Sequence, residues 1–370
     1  MRVTAAQLRR LRVPFRRPVR TAQGVTSTKD LLLVRLTTDV GTGWGECAAP
    51  AQPLYTSEYT EGAAHALRNH LLPRLAGRDV SGAGLAALLA PVQGHPMAKA
   101  ALELAVLDAE LRATGVPLAD HLGARAASVE AGVAVAIAAS VEALLDLVAA
   151  AVAEGYRRVK LKVEPGWDVV PVRAVREHFG DHLLLQADAN GSYRLEDAAH
   201  LAGLDPFGLV LIEQPLGADD LVGHAELARR IATPVCLDES ITSAAAAATA
   251  LALGAAGVVN VKPARVGGLA EAVRIHDLCR AAGVPVWCGG LFETGLGRAA
   301  NLALAGLPGF SLPGDLSPPL RYLDADIVDP PLVAEGGRLA VPRRPGLGVE
   351  VDGAAVDELT VSVEEAAIGA

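Results

Sequence analysis

At 370 residues, the chain is long enough for a barrel of roughly 200 to 250 residues together with a smaller domain. Its composition, 51% hydrophobic and 20% charged, is typical of a globular protein with a large core and excludes an intrinsically disordered chain. The net charge is −9 and no basic cluster is interleaved with aromatic residues, so the sequence argues against a nucleic-acid partner.

The first part of the chain is predicted to form a small α+β domain. The predicted strands are residues 3–13, 31–37 and 44–47, and the predicted helices are residues 58–76, 82–89 and 96–114. Residues 14–30 are a long polar connection, and connections of this length often serve as lids. Residues 48–57 are predicted to form a second loop facing the same way. No catalytic set converges here, so we interpret residues 1–125 as a capping domain with lid loops.

From residue 131 onward, short apolar runs alternate with helical segments, which is the pattern of parallel strands covered by helices. A first strand at residues 131–137 is followed by a helix at residues 141–154. The next five runs recur at an interval of about 25 residues, which fits one strand, one helix and two short loops. These runs are residues 159–163, 183–188, 209–213, 234–238 and 258–262. The series predicts a barrel.

The last part of the chain is predicted to complete the barrel and then leave it. Residues 284–288 predict the seventh strand, and residues 310–314 predict a short eighth strand. Prolines at positions 318, 319, 330 and 331 leave no room for an eighth helix. Three short strand-like runs, residues 338–341, 348–351 and 359–363, end the chain, and we expect them to return to the capping domain.

The cysteine pattern and the hydropathy predict a cytoplasmic protein. The four cysteines form no C-x-x-C pair or other metal-binding spacing, so we expect reduced, mostly buried thiols. The sequence opens without the apolar segment of a secretory signal. Residues 241–261 are uncharged, but they are in phase with the repeat, and we interpret them as a barrel helix and strand instead of a membrane span.

Three carboxylates end three successive strands, in the position where barrels carry their chemistry. Asp188, Glu213 and Asp238 are therefore expected to converge at one rim. Crowded carboxylates repel each other unless a cation or protons lie between them. An all-oxygen set without His or Cys suits a hard cation, so the sequence predicts a site for one Mg²⁺ or Mn²⁺. The alternative is that one or more of the three are salt-bridged rim residues.

Lysine is rare in this sequence, which makes its positions informative. The chain has 33 Lys and Arg residues, of which only five are lysines, and Lys160, Lys162 and Lys262 all lie on apolar strands. A partly buried lysine can act as a base, whereas arginine does not deprotonate in proteins. The alternative is that these lysines reach back to water or pair with neighbouring carboxylates.

The spacing of the lysines indicates a particular reaction. Lys162 and Lys262 lie four strands apart, so they are expected to approach a central ligand from opposite sides. A neighbouring ammonium group and a divalent cation would both lower the pKa of these lysines. The metal could bind a substrate carboxylate and stabilise the charge formed when the adjacent C–H loses its proton. A base on each face of the substrate predicts racemisation.

Several short motifs, in this order, resemble the enolase superfamily in its muconate-lactonizing-enzyme-like group. They are Lys160-x-Lys162, Asp188-x-Asn190, Glu213-Gln214-Pro215, Asp238-Glu239-Ser240 and Lys262-Pro263. Longer strings are similar to N-acylamino acid racemases that also act as o-succinylbenzoate synthases. They are residues 43–47, 53–59, 97–99, 164–168 and 289–298. The resemblance covers nearly the whole chain, to about Gly348.

This resemblance implies an α/β fold, a modified TIM barrel of the (β/α)7β type with an α+β capping domain. The barrel would span residues 126–323, and residues 324–370 would return to the cap. The resemblance also implies Mg²⁺ on the three carboxylates, Lys162 and Lys262 as the acid/base pair, and Lys160 and Asn190 as polar neighbours of a small carboxylate substrate. It further implies a homo-oligomer.

Departures from the family pattern concern the substrate side of the site. Ala134 stands where the family usually has a serine, and Gln23 stands where it often has a phenylalanine in the first lid. After Gly290, the common Met-Ile is Leu291-Phe292. Together with Tyr55 in the second lid, these positions are expected to contact the substrate. They leave the acyl and side-chain preference open.

The residues leave several functions to be weighed. The first is racemisation of N-acylamino acids, such as N-succinylamino acids. The second is o-succinylbenzoate synthase, a dehydration in menaquinone biosynthesis that uses the same residues. Other enolase-superfamily epimerases or cycloisomerases come next. A Schiff-base aldolase would use one lysine as the nucleophile but would leave the carboxylates unexplained. A non-catalytic binder of sugars or metabolites is the last alternative.

Overall fold

The computed structural model describes residues 1–21, 24–366 and 368, so the predicted lid residue Gln23 lies outside the described residues. The strands are β1 Val3–Thr21, β2 Gly24–Thr38, β3 Gly41–Cys47, β4 Ser128–Glu130, β5 Val133–Val135, β6 Arg158–Lys162, β7 Leu184–Asp188, β8 Leu211–Glu213, β9 Val235–Leu237, β10 Val258–Val261, β11 Val286–Cys288, β12 Val328–Asp329, β13 Ala334–Glu335, β14 Arg338–Ala340, β15 Glu350–Val351 and β16 Thr360–Ala366. The α-helices are α1 Thr60–Ala66, α2 Gly82–Leu89, α3 Pro96–Thr114, α4 Leu118–Leu122, α5 Val141–Ala153, α6 Val169–Phe179, α7 Ala198–Leu201, α8 Leu221–Leu227, α9 Ala244–Leu253, α10 Pro263–Val266, α11 Leu269–Ala281, α12 Gly295–Ala305 and α13 Gly353–Leu359.

The N-terminal sheet is antiparallel, in the order β16-β1-β2-β3. Its first hairpin is longer than predicted, because β1 and β2 stay paired from Val3↔Thr38 out to Thr21↔Gly24. The expectation of an unpaired connection over residues 14–30 is therefore wrong. The pairing is interrupted between Pro14 and Val19, where proline cannot donate to the ladder, and it then resumes. The polar segment is a two-stranded arm.

The arm reaches the mouth of the barrel. The backbone N–H of Arg16 donates to the carbonyl oxygen of Tyr322 at 2.9 Å, and the N–H of Ile137 donates to that of Arg20 at 3.3 Å. Because Ile137 lies just beyond the carboxyl end of β5, the arm lies at the rim where the strands end. Its position is compatible with a lid even though its structure is not that of a loop.

The three helices predicted in the N-terminal region are present with one exception in their bounds, and α4 was not predicted. Helices α2 and α3 have the predicted bounds, but the helix predicted over residues 58–76 is α-helical only over α1. It continues as a π-helical turn at Leu67–Leu71 and a 3₁₀ turn at Leu72–Leu75. Pro73 lacks the N–H that a continuing α-helix would need.

We expect Gly45→Ala to destabilise the fold, because β3 packs directly against the backbone of α3. A Cβ at Gly45 would overlap the carbonyl oxygen of Ala101. Relieving that overlap must separate the two elements, at a cost of about 1–3 kcal/mol or more. The expected result is a lower midpoint of urea-induced unfolding. Gly353→Ala is the matched control, since a Cβ there has nothing within 4 Å. Equal midpoints for the two variants would contradict the prediction.

The barrel has the predicted strand order. Seven parallel strands form a sheet in the order β5 to β11. The predicted eighth strand closes it, because Phe310 bridges Val286 of β11 and Gly314 bridges Ala131 beside β5, both in the parallel sense. A short 3₁₀ turn, Pro319–Arg321, follows in place of an eighth helix. The (β/α)7β fold class is confirmed.

Short polar side chains cap five helices of the barrel. Ser140, Asp168, Asp220, Ser243 and Thr294 each accept a hydrogen bond from a backbone N–H of the first turn of α5, α6, α8, α9 and α12, respectively. Such caps satisfy N–H groups that have no partner within the helix. They fix where each loop ends, and so how far each strand end projects at the mouth.

The three C-terminal runs were expected to return to the capping domain. The run at residues 359–363 does so, because β16 pairs with β1, and the run at residues 348–351 contacts α3, where the side chain of Arg112 donates to the carbonyl oxygen of Val349 at 2.7 Å. Strand β14 pairs with β4, at the start of the barrel region, and β15 pairs with β12. Over the described part of the chain, no helix combines the length and the hydropathy needed to cross a membrane. The uncharged stretch 241–261 forms α9 and β10, as predicted.

Two buried glutamates of the N-terminal region attach it to the barrel. Glu46 of β3 accepts hydrogen bonds from the backbone N–H groups of Thr294 and Gly297 at the start of α12, at 3.1 and 3.0 Å. Glu103 of α3 accepts from Leu269 and Ala270 at the start of α11. Burial raises the pKa of each carboxyl to about 7. These contacts hold the cap in a fixed position relative to the rim.

Candidate active site at the carboxyl ends of the strands

The predicted ionisable residues lie at one rim of the barrel. Lys162, Asp188 and Glu213 are aligned across β6, β7 and β8, with Lys162↔Asp188 and Asp188↔Glu213 as neighbours in register. Asp238 directly follows β9, and Lys262 directly follows β10. Beneath them, the barrel interior holds an apolar cluster of Leu211, Cys236, Val258 and Trp287. The polar rim therefore rests on a packed apolar floor.

Lys160 lies inside the barrel among carboxylates. Its Nζ is 2.8 Å from Glu213 Oε2, 3.1 Å from Asp188 Oδ2 and 2.6 Å from Asp315 Oδ2, and the residue is 2% exposed. Its ammonium group also lies 4.9 Å from the centre of the Trp287 ring. The positive charge of Lys160 thus joins the carboxylates of two neighbouring strands.

Lys262 lies on the other side of the mouth and has different partners. Its Nζ is 2.7 Å from Asp238 Oδ2 and donates to the Tyr55 hydroxyl at 2.9 Å. The Tyr55 hydroxyl in turn donates to Asp238 Oδ2 at 3.1 Å. Arg265 pairs with the second oxygen of Asp238. A Cβ at Gly289 would lie 2.6 Å from Lys262 Cε, so glycine is needed there to leave room for the lysine side chain.

Lys162 is held by two groups at the carboxyl end of β7. Its Nζ is 2.6 Å from Asp188 Oδ2 and donates to Asn190 Oδ1 at 2.7 Å. Asn190 has a φ of 44°, in the left-handed region that asparagine tolerates better than most residues. Its side-chain Nδ2 donates to Glu239 Oε1 at 2.9 Å. Because β6 and β10 are four strands apart in the eight-stranded barrel, Lys162 and Lys262 stand on opposite sides of the rim.

The pKa directions reflect this mixture of burial and charge. Burial acts to lower the pKa of Lys160, but Asp315, Glu213 and Asp188 outweigh it and raise the pKa. The pKa of Lys262 is likewise raised, because Tyr55, Glu213 and Glu239 outweigh burial. From the sequence we expected lowered lysine pKa values, because a divalent cation was assumed to lie beside the lysines. The raised pKa values of Lys160 and Lys262 result from the charges of the protein groups alone.

The carboxyls divide into two groups. Burial acts to raise the pKa of Asp188, but the ammonium groups of Lys162 and Lys160 hold the pKa below its usual range. Burial raises the pKa of Glu213, and the charge of Asp188 adds to this effect. The pKa of Glu239 is raised for the same two reasons. Of Asp188, Glu213 and Glu239, Asp188 is therefore the carboxylate that remains ionised most readily.

The three predicted ligands present a donor set that fits a hard cation. As the side chains stand, the described residues contain no group of three or more His, Cys, Asp or Glu arranged to hold a metal ion. The oxygens of Asp188, Glu213 and Asp238 face ammonium and guanidinium groups instead. All three carboxylates are at most 1% exposed, and the first two share one positively charged group, Lys160. Only oxygen donors are offered, as Mg²⁺ prefers.

The remaining predicted residues are spread around the mouth. Ala134 neighbours Lys160 in register and is exposed at the barrel opening. Gly290, Leu291 and Phe292 follow β11, and Leu291 packs into the core of the N-terminal region. The Phe292 ring lies 5.2 Å from that of Phe15 on the arm. The structure brings Tyr55 into direct contact with Lys262, whereas these other residues touch neither lysine in the described contacts.

Four residues at the site were not assigned a role from the sequence. Asp315 pairs with Lys160, Arg265 with Asp238, and Glu239 with Asn190. The fourth, Gln214, accepts the backbone N–H of Asp238 at 3.0 Å. Three of them could have been found, because Gln214, Glu239 and Asp315 each come one residue after a rim residue or a strand end. Arg265 gave no such signal, because it contacts the rim only through the turn of α10.

Two family models together match most of the chain. The model described as "Mandelate racemase / muconate lactonizing enzyme, N-terminal domain" matches residues 4–123. The model described as "Enolase C-terminal domain-like" matches residues 143–355 and so includes the rim residues of β6 to β11.

Individual proteins are similar over almost their full length. An N-succinylamino acid racemase of Amycolatopsis sp. is 57% identical over 363 residues, 98% of each chain. An o-succinylbenzoate synthase of Geobacillus kaustophilus is 45% identical, covering 95% of this chain and 94% of that protein. Among solved structures, an N-succinyl Arg/Lys racemase from Bacillus cereus has a TM-score of 0.93 at 27% identity, covering 99% of this chain and 100% of that one.

Proposed function

Because the chain belongs to the enolase superfamily, in the branch of mandelate racemase and muconate-lactonizing enzyme, we propose that it is an enzyme that racemises N-succinylamino acids. The family resemblance noted from the motifs is thereby confirmed. The observation that carries the proposal is the position of Lys162 and Lys262 on opposite sides of one carboxylate-lined rim. The similarity to the Amycolatopsis racemase supports the substrate class.

The two lysines would carry the proton. Nζ of one lysine removes the α-proton from one face of the substrate, and Nζ of the other delivers a proton to the opposite face. The opposite enantiomer reacts with the roles exchanged. Asp188 and Asn190 hold Lys162, while Asp238 and Tyr55 hold Lys262, so both Nζ atoms are fixed by charged or polar partners. Fixed positions of this kind reduce the entropy lost on reaching the transition state.

We propose that Asp188, Glu213 and Asp238 hold one Mg²⁺ or Mn²⁺. When bound, such a cation supplies positive charge beside the substrate carboxylate, where negative charge develops as the α-proton leaves. Lys160 adds a fixed positive charge of the protein itself on the same side. The all-oxygen donor set at neighbouring strand ends supports this assignment.

Several groups at the mouth are proposed to contact the substrate. Phe292 is 36% exposed and lies against Phe15, between the rim and the arm. Ala134 faces the opening beside Lys160, and Tyr55 and Gly290 line loops that follow β3 and β11. Leu291 and Gln23 are proposed to act on the acyl or side-chain end. The arm is proposed to close over this end of the substrate.

The second candidate is o-succinylbenzoate synthase, favoured by the similarity to the Geobacillus enzyme. The same lysines would serve, because this dehydration also begins with the removal of a proton next to a carboxylate. In it, hydroxide leaves after the proton has been removed, so one lysine acts as the base and the other stabilises charge.

Hydrogen exchange distinguishes these functions. The purified protein with Mg²⁺ is incubated in D₂O with single enantiomers of N-succinylamino acids, and the loss of the α-proton is followed by NMR together with optical rotation. We expect exchange accompanied by loss of optical rotation. Dehydration of the cyclohexadiene precursor, followed by ultraviolet absorbance, measures the second activity. Absence of exchange for every N-acylamino acid tested would contradict the racemase proposal.

We propose that the protein acts in the cytoplasm as a homo-oligomer. The four cysteines, Cys47, Cys236, Cys279 and Cys288, are buried free thiols, which supports a reducing compartment. The oligomer is proposed from the family resemblance, and light scattering of the purified protein measures its size.

A further inference from the structure

We propose that Glu239 is a positioning residue for Lys162, and that it acts through the side-chain amide of Asn190. The inference rests on the proposed racemase function and extends it to a residue that touches neither lysine directly. Its consequence is that one face of the active site has a support that the other face lacks.

The contacts form a continuous chain across three strand ends. Lys162 Nζ donates to Asn190 Oδ1 at 2.7 Å, and Asn190 Nδ2 donates to Glu239 Oε1 at 2.9 Å. Lys162 ends β6, Asn190 follows β7, and Glu239 follows β9. The amide of Asn190 therefore spans the gap between Lys162 and a carboxylate three strands further round the barrel.

Glu239 sets the orientation of the amide. The asparagine amide offers one acceptor atom and one donor atom, an ammonium group is only a donor, and the Nδ2 donor of Asn190 is hydrogen bonded to Glu239 Oε1. The Nδ2 group must therefore face Glu239, which turns Oδ1 toward Lys162. Without an acceptor at position 239, the amide loses the contact that prevents rotation. In the rotated state its NH₂ group would face the ammonium group of Lys162.

Glu239 is otherwise a costly residue in this location. It is 9% exposed, and its Oε2 has no hydrogen-bond partner among the described residues. Burying a carboxylate oxygen without a partner is unfavourable by about 1–3 kcal/mol or more. Among the described hydrogen bonds, the one with Asn190 is the only one the side chain makes. The buried carboxylate of Glu239 therefore provides one hydrogen bond, to Asn190, which is itself a hydrogen-bond partner of Lys162.

The support is one-sided. Lys262 hydrogen bonds to Tyr55 and Asp238, and neither of these residues hydrogen bonds to Glu239 in the described part of the chain. The charge of Glu239 does act on Lys262, as noted above. A variant that removes only the charge can therefore affect both lysines, whereas loss of the hydrogen bond should affect Lys162 alone.

The test compares Glu239→Met, which removes the acceptor, with Glu239→Gln, which keeps an acceptor oxygen and removes the charge. The measured quantity is the rate of α-proton exchange in D₂O for each enantiomer of an N-succinylamino acid, in the initial phase before inversion accumulates. The enantiomer whose exchange is lost in Lys162→Ala is the one that Lys162 deprotonates. For that enantiomer we expect Glu239→Met to be slower than Glu239→Gln by about tenfold or more.

For the other enantiomer we expect the two Glu239 variants to agree within about threefold. A double-mutant cycle with Asn190→Ala checks the route, because Glu239→Met should add little to a protein that already lacks the amide. Far-ultraviolet circular dichroism and the unfolding midpoint show whether each variant is folded. Because both Glu239 variants lack the charge, a difference between them reports the loss of the acceptor oxygen.

Some outcomes would overturn the proposal. Equal exchange in Glu239→Met and Glu239→Gln would do so, and so would an equal loss for both enantiomers, which indicates general disruption of the site. Additive effects of Glu239→Met and Asn190→Ala would exclude the route through the amide. If the unmodified protein exchanges neither enantiomer, the racemase function fails and this inference fails with it. Loss of exchange in Lys162→Ala with no effect of Glu239→Met overturns the role of Glu239 alone.

Discussion

Replacing Lys162 with alanine is expected to stop α-proton exchange for one enantiomer of the substrate while leaving measurable exchange for the other. Lys262→Ala is expected to show the reverse selectivity. The reason is that the lysines stand four strands apart, so each can reach only one face of a substrate bound between them. Loss of a positioned general base typically lowers the rate by about 10²–10⁴-fold. Racemisation, which needs both lysines, should be lost in both variants.

The measurement is NMR of single enantiomers in D₂O together with optical rotation. Lys99→Ala is the matched control, because Lys99 is a lysine of α3 whose Nζ donates to the carbonyl of Val92, away from the rim. Lys99→Ala should keep both α-proton exchange and racemisation. If Lys162→Ala and Lys262→Ala lost exchange for the same enantiomer, the two lysines would act on one face and a two-base mechanism would be excluded. Borohydride trapping of substrate on either lysine would instead indicate Schiff-base chemistry.

Removal of divalent cations is expected to lower the rate of exchange by roughly 10³-fold, and addition of Mg²⁺ or Mn²⁺ should restore it. A bound cation of this kind stabilises developing negative charge by several kcal/mol, and each 1.4 kcal/mol corresponds to a factor of ten in rate. The protein is treated with EDTA, dialysed, and assayed before and after the metal is returned. Full activity in the chelated protein would contradict a metal-dependent reaction.

A binding measurement separates the loss of metal from the loss of chemistry. Titration calorimetry with Mg²⁺ should detect one site per chain, and Asp188→Asn and Asp238→Asn should each weaken it. Glu226→Gln provides the control, because Glu226 is a carboxylate of α8 paired with Arg229 and Arg230 on the surface. Unchanged Mg²⁺ affinity in the rim variants would remove these carboxylates from the proposed ligand set.

The barrel and its rim could be predicted in detail because they follow from local patterns. An interval of about 25 residues between apolar runs reports one strand and one helix, and the end of each run marks the rim. The pattern therefore placed Lys162, Asp188 and Glu213 correctly at the ends of β6, β7 and β8, although it contains no information on their contacts. The structure adds that they are neighbours in register.

The predictions that failed depended on pairing between distant segments. The polarity of residues 14–30 indicated a loop, but residues 14–21 and 24–30 form an arm whose strands pair on both sides of the break between Pro14 and Val19. The run at residues 338–341 was expected in the cap and pairs with β4 instead. A short strand has the same composition in either sheet, so its sequence does not state which edge it will join.

The sequence by itself determined the number of barrel units, which ionisable residues reach the rim, and the opposite placement of Lys162 and Lys262, because periodicity and strand order are properties of the chain. Only the tertiary structure decided which partner each charge meets. The pairings of Lys160 with Asp315 and of Asn190 with Glu239 join residues from different strand ends. Hydrogen bonds and ion pairs depend on separations of a few ångströms, and those separations exist only once the barrel has closed.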